Sequence, residues 1–203
     1  MTSQDKQTEE KIFEAATDVF EEKGLSGARM QDISDRAGIN KSLLHYYFRT
    51  KELLFKAVFE MVARKMFSRF SHIFEEDLSL EDKIRVFFRE HISFLQKNPK
   101  LPAFIINELN QNPDRIKKLL ENIDYKEIMQ KLMEKHKHEL HKYNITEKTI
   151  PQIMTSIAAL SVFPFAARGL LETIFNNAGY DFDKYIEERK EFAAEFVIRA
   201  ITK

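Results

Sequence analysis

The sequence contains no cysteine, which excludes disulfides, thiol catalysis and thiolate metal sites. It also has no long hydrophobic run, since the longest, residues 157–167, is interrupted by Ser161 and Pro164 and is far too short to cross a bilayer. Residues 1–10 are polar and acidic, unlike a secretory signal. Neither a glycine-rich phosphate loop nor an HExxH motif is present. We therefore expect a cytoplasmic protein that is not an enzyme, needs no cofactor and binds no membrane.

The 203 residues have the composition of an ordinary globular protein, with 43% hydrophobic and 32% charged residues. Apolar residues recur with helical spacing along most of the chain, and no stretch has the alternation of a strand, so we predict an all-α fold. Capping residues and helix breakers set the predicted boundaries. These are a helix from Thr8 to Gly24, a helix over about 80–97 with Ser79 as N-cap, a helix over about 124–143, and a helix from a capping box at Thr149 to about Phe175, kinked at Pro164.

The most informative segment is residues 29–52, which has the pattern of two short helices and the start of a third. Gly38 can adopt the left-handed conformation that closes the first helix. Asn40 is a favourable N-cap for the second helix, in which Leu44 is the inward-facing residue. Helices this short are not stable in isolation, but a short exposed helix fits the major groove of DNA, as in the helix-turn-helix motif. The segment therefore predicts DNA binding.

Residues 8–58, about a quarter of the chain, resemble the N-terminal DNA-binding domain of the TetR/AcrR family of bacterial transcriptional regulators. The resemblance is specific because many positions agree without a gap. The residues that carry it are Ile12, Ala15, Ala16, Phe20, Gly24, Asp32, Ile33, Ala37, Gly38, Ile39, Leu44, Tyr47, Phe48, Lys51, Glu52 and Leu53.

This resemblance implies both an architecture and a function. The expected architecture is an N-terminal three-helix helix-turn-helix head, residues 1–52, joined by a long helix to a larger helical domain, residues 53–203, for ligand binding and dimerisation. The expected function is that of a ligand-responsive regulator, most often a repressor, which binds a palindromic operator in double-stranded DNA as a homodimer. A two-fold dimer reads two half-sites about one helical turn apart, which multiplies weak contacts.

Net charge is zero, but its distribution favours an anionic partner near the second short helix. Between Arg36 and Lys56 the cations outnumber the single anion Glu52, whereas the first helix is rich in acids. Any one of these cations could equally be an ordinary solvated surface charge. Because they lie together inside a helix-turn-helix motif, we favour contact with DNA. The residues predicted to read bases are Gln31, Lys41, Ser42, Leu43 and Tyr46. Those predicted to contact phosphate are Arg29, His45, Tyr47 and Lys51.

The helix that follows Thr149 is apolar on nearly every side between residues 157 and 167, and such a helix must be covered on most faces. A wholly intramolecular core would satisfy this pattern. The family resemblance implies instead that this helix and the last helix of the chain pair with their symmetry mates in a four-helix dimer interface. The residues predicted to form this interface are Ile157, Leu160, Ala193, Phe196, Val197 and Ala200.

The larger domain is rich in Phe and Met with a few polar insertions, a composition that suits an apolar ligand cavity or simply a well-filled core. The resemblance implies a small effector of unknown identity, apolar or amphipathic, whose binding moves the long helix. The residues predicted to line its site are Phe67, Phe70, His91, Phe94, Phe104, Asn107, Met129, His136 and Phe163.

Two other readings of the sequence compete with a regulator. Glu134, His138 and His141 share a helix face at a spacing that metal ligands use, but this face lies opposite the apolar stripe, so we expect no metal there. The second alternative is a helical adaptor that has the same fold and does not recognise DNA.

Overall fold

The computed structural model describes residues 3–111, 130–131 and 133–202, without the side chains at 3–4, 6, 63–72, 74–75, 108–109 and 111. Within these ranges all regular structure is helical, which confirms the all-α prediction. Numbered in chain order, the helices with described bounds are α1 Ser3–Gly27, α2 Met30–Ala37, α3 Lys41–Tyr47, α4 Lys51–Glu75, α5 Leu80–Lys97, α6 Leu101–Gln111, α7 Lys137–Lys142, α8 Ile150–Ala166, α9 Arg168–Asn177 and α10 Phe182–Ile201.

The chain divides into two compact units, with boundaries after Met66 in α4 and after Ala103 in α6. The first unit therefore extends beyond the predicted head, which ends at residue 52, because the start of α4 and most of α6 complete its core. Phe55 in α4 packs edge-on against Phe20 at 4.9 Å between ring centroids, and Phe104 in α6 lies 5.4 Å from Phe55. The assignment of DNA binding to residues 1–52 and of ligand binding and dimerisation to residues 53–203 remains a prediction.

The core of the second unit forms where α5, α8 and α10 pack together. Phe88 and Ile92 of α5 are fully or almost fully buried, as is Ile186 of α10. Ala193 and Ala194 are completely buried, and such small side chains permit close helix packing. An ion pair also joins α5 to α10, because Nη2 of Arg85 lies 2.7 Å from Oε1 of Glu195.

Local capping signals predicted several helix ends. The Asn40 side chain accepts a hydrogen bond from the Leu43 amide, and Ser79 caps α5 in the same way through the Asp82 amide. Gly38 has φ 67° and ψ 31°, the predicted left-handed conformation. Each signal needs only residues within one turn, which is why sequence alone identifies it.

One predicted boundary is wrong, and two others are right in position. Helix α1 begins at Ser3 rather than Thr8, because Asp5 in its first turn accepts a hydrogen bond from the Tyr47 hydroxyl. Its predicted end at Gly24 is confirmed as a break with φ 63°, and a short second helical segment follows to Gly27. Thr149 directly precedes α8 as predicted, but its side chain makes no capping bond to the helix, because its hydroxyl bonds to the backbone of Thr146.

The predicted helix over 124–143 is only partly open to comparison, since residues 112–129 and 132 lie outside the described chain. Its described end is not continuous. The backbone leaves helical angles at His136, with φ −102° and ψ 15°, and α7 begins at the next residue. The buried His136 ring bonds to Glu139 on the following turn, which accompanies this break.

Pro164 has a larger effect than the predicted kink. Instead of one helix to Phe175, α8 ends at Ala166 and α9 begins at Arg168, at an angle of 73°. Proline has no N–H, so the Leu160 carbonyl has no donor within the helix. The Nε–H of Arg189 in α10 donates to this carbonyl at 2.9 Å, which ties the broken helix to the core.

None of the described helices is by itself long and apolar enough to cross a membrane, and only the bent pair formed by α8 and α9 reaches that threshold when taken together.

The bond from Arg189 predicts an energetic coupling with Pro164. Arg189→Met leaves the Leu160 carbonyl without a donor and should lower the free energy of unfolding by about 1–2 kcal/mol. In a Pro164→Ala background, the alanine N–H replaces that donor, so the same change should cost clearly less. Urea unfolding of the four proteins measures this double-mutant cycle.

Arg199→Met on the exposed side of α10 is the matched control and should change stability by no more than about 0.5 kcal/mol. Equal costs of Arg189→Met in both backgrounds would contradict the role assigned to the bond, and would point to the contact of Arg189 with the Tyr185 ring.

Candidate functional site

Helix α3 is held by one buried side chain. Leu44 is completely buried, while Lys41 and Ser42 are exposed and Tyr46 is 82% exposed. Leu43 is half-buried. The outward face thus presents an ammonium, a hydroxyl and a phenol on a helix short enough to enter a groove.

The angle between α2 and α3 is fixed by contacts at the corner. After Gly38, the Ile39 amide donates to the Ser34 carbonyl at 3.1 Å. Ser34 is completely buried, and a larger side chain has no room at this crossing. Ile39 is half-buried at the turn. The exposed face of α3 therefore has a defined direction relative to α2.

Two ion pairs join α1 to α2. The guanidinium of Arg36 makes a bidentate contact with Glu22 at 2.9 and 3.0 Å, and the pKa of Arg36 is raised, chiefly by this hydrogen bond. The Lys23 ammonium lies 2.7 Å from Asp32, and its hydrogen bond holds the Asp32 pKa below the ordinary value. Arg36, which the sequence suggested as part of the basic patch, is therefore neutralised by its partner.

The other predicted base-reading residue, Gln31, is exposed on α2, and its amide donates to Asp35 at 2.7 Å. Among the predicted phosphate contacts, Arg29 is exposed directly before α2, and His45 is exposed with Nδ1 3.2 Å from the Arg49 carbonyl. The side chains that remain on the exposed surface around α3 are mainly cationic or polar, which suits an anionic partner.

Two predicted phosphate contacts have structural partners. The Lys51 ammonium donates to the Ala28 carbonyl at 3.1 Å, which fixes the start of α4 to the segment between α1 and α2. The Tyr47 hydroxyl donates to Asp5 at 3.2 Å, and partial burial is the main cause of its raised pKa. Phosphate binding by either side chain would compete with these bonds.

The second unit contains an apolar cavity of about 310 Å³. Of the predicted effector residues, His91 and His136 line it. Most of its wall is aliphatic and was not predicted, because no local pattern shows which residues of separate helices will face one space. The described lining residues are Ile73, Leu80, Lys83, Ile84, Phe87, His91, Met133, His136, Leu140, Ile145, Ile150, Ile153, Met154, Ile157, Ala158 and Ile201.

Several predicted effector residues lie elsewhere. Phe104 and Asn107 belong to the first unit, where Phe104 is core. Phe94 packs against the core of the second unit, and Phe163 is 55% exposed because it lies on the outer side of α8. Three further predictions lie outside what the structure describes, namely the side chains of Phe67 and Phe70 and the whole of Met129.

The predicted dimer residues fall into three groups. Ala193 and Val197 face the core of their own subunit, at 0% and 4% exposure, because α10 uses this stripe to pack on α5. Ile157 and Leu160 are half-buried, and Ile157 is part of the cavity wall. Phe196 is 55% exposed, and Ala200 is exposed on the same side of the helix. Only this last group presents a free surface.

Phe196 belongs to a larger set of exposed apolar side chains on α8, α9 and α10. Phe192 and Phe196 are 61% and 55% exposed, with their rings stacked at 6.3 Å. The remaining members are Met154, Phe163, Leu170 and Ile174. We call these six side chains the apolar face.

The candidate metal ligands Glu134, His138 and His141 are all exposed to solvent. Among the described residues, no three His, Asp or Glu side chains are grouped as metal ligands.

Comparison with known proteins agrees with the geometry of the head. Residues 12–58 match the family described as bacterial regulatory proteins, tetR family. Residues 12–58 are therefore a DNA-binding domain of the TetR type. The helical layout of the whole chain also matches solved structures of TetR regulators at 18% identity, which shows a shared fold.

Similar proteins extend this likeness beyond the head. The nucleoid occlusion factor SlmA of Vibrio cholerae is 25% identical over 121 residues, 57% of this chain and 62% of its own length. The transcriptional repressor NicS of Pseudomonas putida is 31% identical over 107 residues, 53% of this chain and 44% of its own. The crystal structure of FadR from Bacillus subtilis with stearoyl-CoA has a TM-score of 0.63 at 18% identity, covering 91% of this chain and 96% of FadR, and shows the shared fold.

One titratable group in the cavity has a strongly shifted pKa. His91 is buried with Nδ1 3.1 Å from the Ser161 hydroxyl, and burial lowers its pKa to about 4. The neutral imidazole is therefore the form that the folded protein holds. Unfolding releases the ring to water, where it accepts a proton at higher pH.

This difference predicts a pH-dependent stability. As the pH falls from about 6.5 towards 4, the unfolded chain gains a proton at His91 before the folded chain does, so stability should fall by up to about 3 kcal/mol. His91→Phe should remove this part of the dependence. Urea unfolding at pH 7.5 and 4.5 measures it. His138→Phe, at an exposed position, is the control, and an identical pH dependence in His91→Phe and the parent chain would refute the assignment.

Proposed function

We propose that the chain is a homodimeric, ligand-responsive transcriptional repressor that binds a palindromic operator and is released by a small apolar or amphipathic effector. The observation that carries this proposal is the outward face of α3, where Lys41, Ser42 and Tyr46 are exposed while Leu44 anchors the helix. Within the described chain these three outward side chains have no hydrogen-bond partner to give up, so base contacts cost no internal bond. Leu43 adds an apolar group that suits a thymine methyl.

The apolar face supports the homodimer. Monomeric proteins rarely expose so many large apolar side chains on neighbouring helices, and such a surface is typical of an interface. A second copy of the chain is the occupant that also explains operator recognition, because two-fold symmetry places two α3 helices on one duplex.

The cavity supports ligand response. Its wall includes Ile73 from the last turn of α4. The buried ammonium of Lys83, also in the wall, donates to the carbonyls of Ile73 and Glu76 at 2.7 and 2.6 Å. A ligand in the cavity therefore touches the residues that fix the end of α4. A ligand shifts a conformational equilibrium only when its affinities for the two states differ, and contacts at a helix end provide that difference.

An adaptor with the same fold and no DNA recognition is the alternative. It is supported by the similarity to SlmA, because that relative is named a nucleoid occlusion factor rather than a transcriptional regulator. A random DNA pool selected on the full chain at near-physiological salt separates the two functions. A repressor should enrich a palindrome, whereas an adaptor that is folded and dimeric should enrich none.

Lys41→Ala tests the role of α3 on the enriched sequence. Loss of one base contact should weaken binding by about 1–3 kcal/mol, or about fivefold to 150-fold. Fluorescence anisotropy with labelled duplex measures this change. Lys97→Ala removes an equally exposed lysine in the second unit and should leave affinity unchanged. Equal affinity of Lys41→Ala and the parent chain would exclude Lys41 from the interface.

Phe196→Glu tests the dimer. A carboxylate on the apolar face is buried without a partner if a second copy packs there, so the variant should sediment as a monomer at micromolar concentration. Its helix content should not change, because Phe196 is already exposed in the single subunit. Ile106→Glu, at a 41% exposed position in α6, is the control and should remain dimeric. A dimeric Phe196→Glu protein would move the interface elsewhere.

A further inference from the structure

The cavity of the second unit has few polar groups, and they differ in whether the protein satisfies their hydrogen bonds. Among the described lining residues only Lys83, His91 and His136 carry polar side-chain atoms. In a mostly apolar site of this kind, a small number of polar groups sets the orientation and the chemical class of a ligand. Which of the three has bonding capacity to spare therefore indicates what the cavity binds.

Lys83 and His91 are engaged with the protein. The Lys83 ammonium donates to two carbonyls at the end of α4, and burial lowers its pKa. The Nδ1 atom of His91 pairs with the hydroxyl of Ser161, which itself donates to the Ile157 carbonyl at 2.9 Å. These bonds maintain the cavity wall.

His136 is different because one of its ring nitrogens has no partner. The residue is 3% exposed, and its Nδ1 lies 2.8 Å from Oε1 of Glu139. Its Nε2 atom is buried, and no donor or acceptor in the described parts of the chain lies within hydrogen-bond distance. Buried polar atoms almost always have a partner, so this exception calls for an explanation.

The bonds of Glu139 determine what Nε2 offers. Burial of Glu139 opposes ionisation, but hydrogen bonds from His136 and from the Leu80 amide outweigh it and lower the Glu139 pKa. An ionised carboxylate only accepts hydrogen bonds, so Nδ1 of His136 carries the proton and donates. When the ring carries this single proton, Nε2 is the acceptor, and it is the unpaired atom of a residue that lines the cavity.

We propose that Nε2 of His136 accepts a hydrogen bond from the hydroxyl of a neutral, otherwise apolar ligand, an alcohol or phenol, bound in this cavity. The volume of about 310 Å³ lies at the lower end of the range for ligand pockets, about 300–1,000 Å³, and suits a small ligand. This assignment rests on the proposed ligand response and names the chemical class of its effector.

An anionic ligand fits the same wall less well. A carboxylate has no proton to donate to the lone pair of Nε2, and the Lys83 ammonium already donates to carbonyls. The carboxylate of Glu139, 2.8 Å from Nδ1 of the same ring, adds repulsion. The hydroxyl class uses the free acceptor without breaking any of the bonds described.

Three ligands of equal size test the assignment. Nonan-1-ol, 1-methoxyoctane and octanoate contain the same number of non-hydrogen atoms, but only the alcohol is a neutral donor. Calorimetric titration of the full chain without DNA should show nonan-1-ol binding about tenfold more tightly than 1-methoxyoctane, the effect of one hydrogen bond, with octanoate weakest. Equal binding of alcohol and ether, tightest binding of octanoate, or no binding of the alcohol would overturn the proposal.

The variants His136→Phe and His138→Phe locate the effect. His136→Phe keeps a ring of similar size and should bring the alcohol and the ether within about twofold of each other, whereas the exposed His138→Phe should retain the tenfold ratio. A tenfold ratio that persists in His136→Phe would assign the hydroxyl to another group. Operator affinity is measured separately with saturating nonan-1-ol. If the alcohol binds and DNA is not released, the hydrogen bond to His136 stands and the proposed role of the ligand as an effector is refuted.

Discussion

Burial of Leu44 is the constraint on which the DNA-binding head depends. Helix α3 has only seven residues, too few to be stable alone, and Leu44 is its one fully buried side chain. Everything that α3 presents outward is positioned by this contact together with the Asn40 cap. The arrangement also explains why so short a helix tolerates an exposed Tyr46: the packing energy comes from one side, and the other is left for a partner.

The zero net charge of the chain is reconciled with DNA binding by how charges are paired. Glu22 of α1 neutralises Arg36 of α2, and Asp32 of α2 neutralises Lys23 of α1. Lys41 on α3 keeps its charge exposed. Salt bridges at such partly exposed sites add little stability, so their main consequence is to fix α2 relative to α1 and to leave a small cationic surface. A small surface of this kind favours specific contacts over strong non-specific attraction.

The sequence predicted what depends on neighbouring residues and missed what depends on distant ones. The cap at Ser79 and the left-handed Gly38 were predicted correctly, because each requires only local geometry. The inner stripe of α10 was assigned to a dimer because periodicity shows which residues share a face and not which element covers it; α5 covers Val197. The cavity was placed among phenylalanines, yet aliphatic residues from several helices form most of its wall. Of the predicted lining residues that the structure describes, His91 and His136 lie in that wall.

Lys83 lies in the cavity wall and binds the end of α4, so it links the cavity to that helix. A buried ammonium is costly unless its donors are used, and here they bind carbonyls at the end of α4, where the helix dipole is negative. The same helix contributes Leu54 and Phe55 to the core of the first unit, so α4 belongs to both units. Any ligand that displaces Ile73 must move these carbonyls or break their bonds to Lys83, and either change has an energetic cost that depends on the position of α4. Under the proposed ligand response, these bonds of Lys83 are the contacts through which a ligand would favour one position of α4 over another.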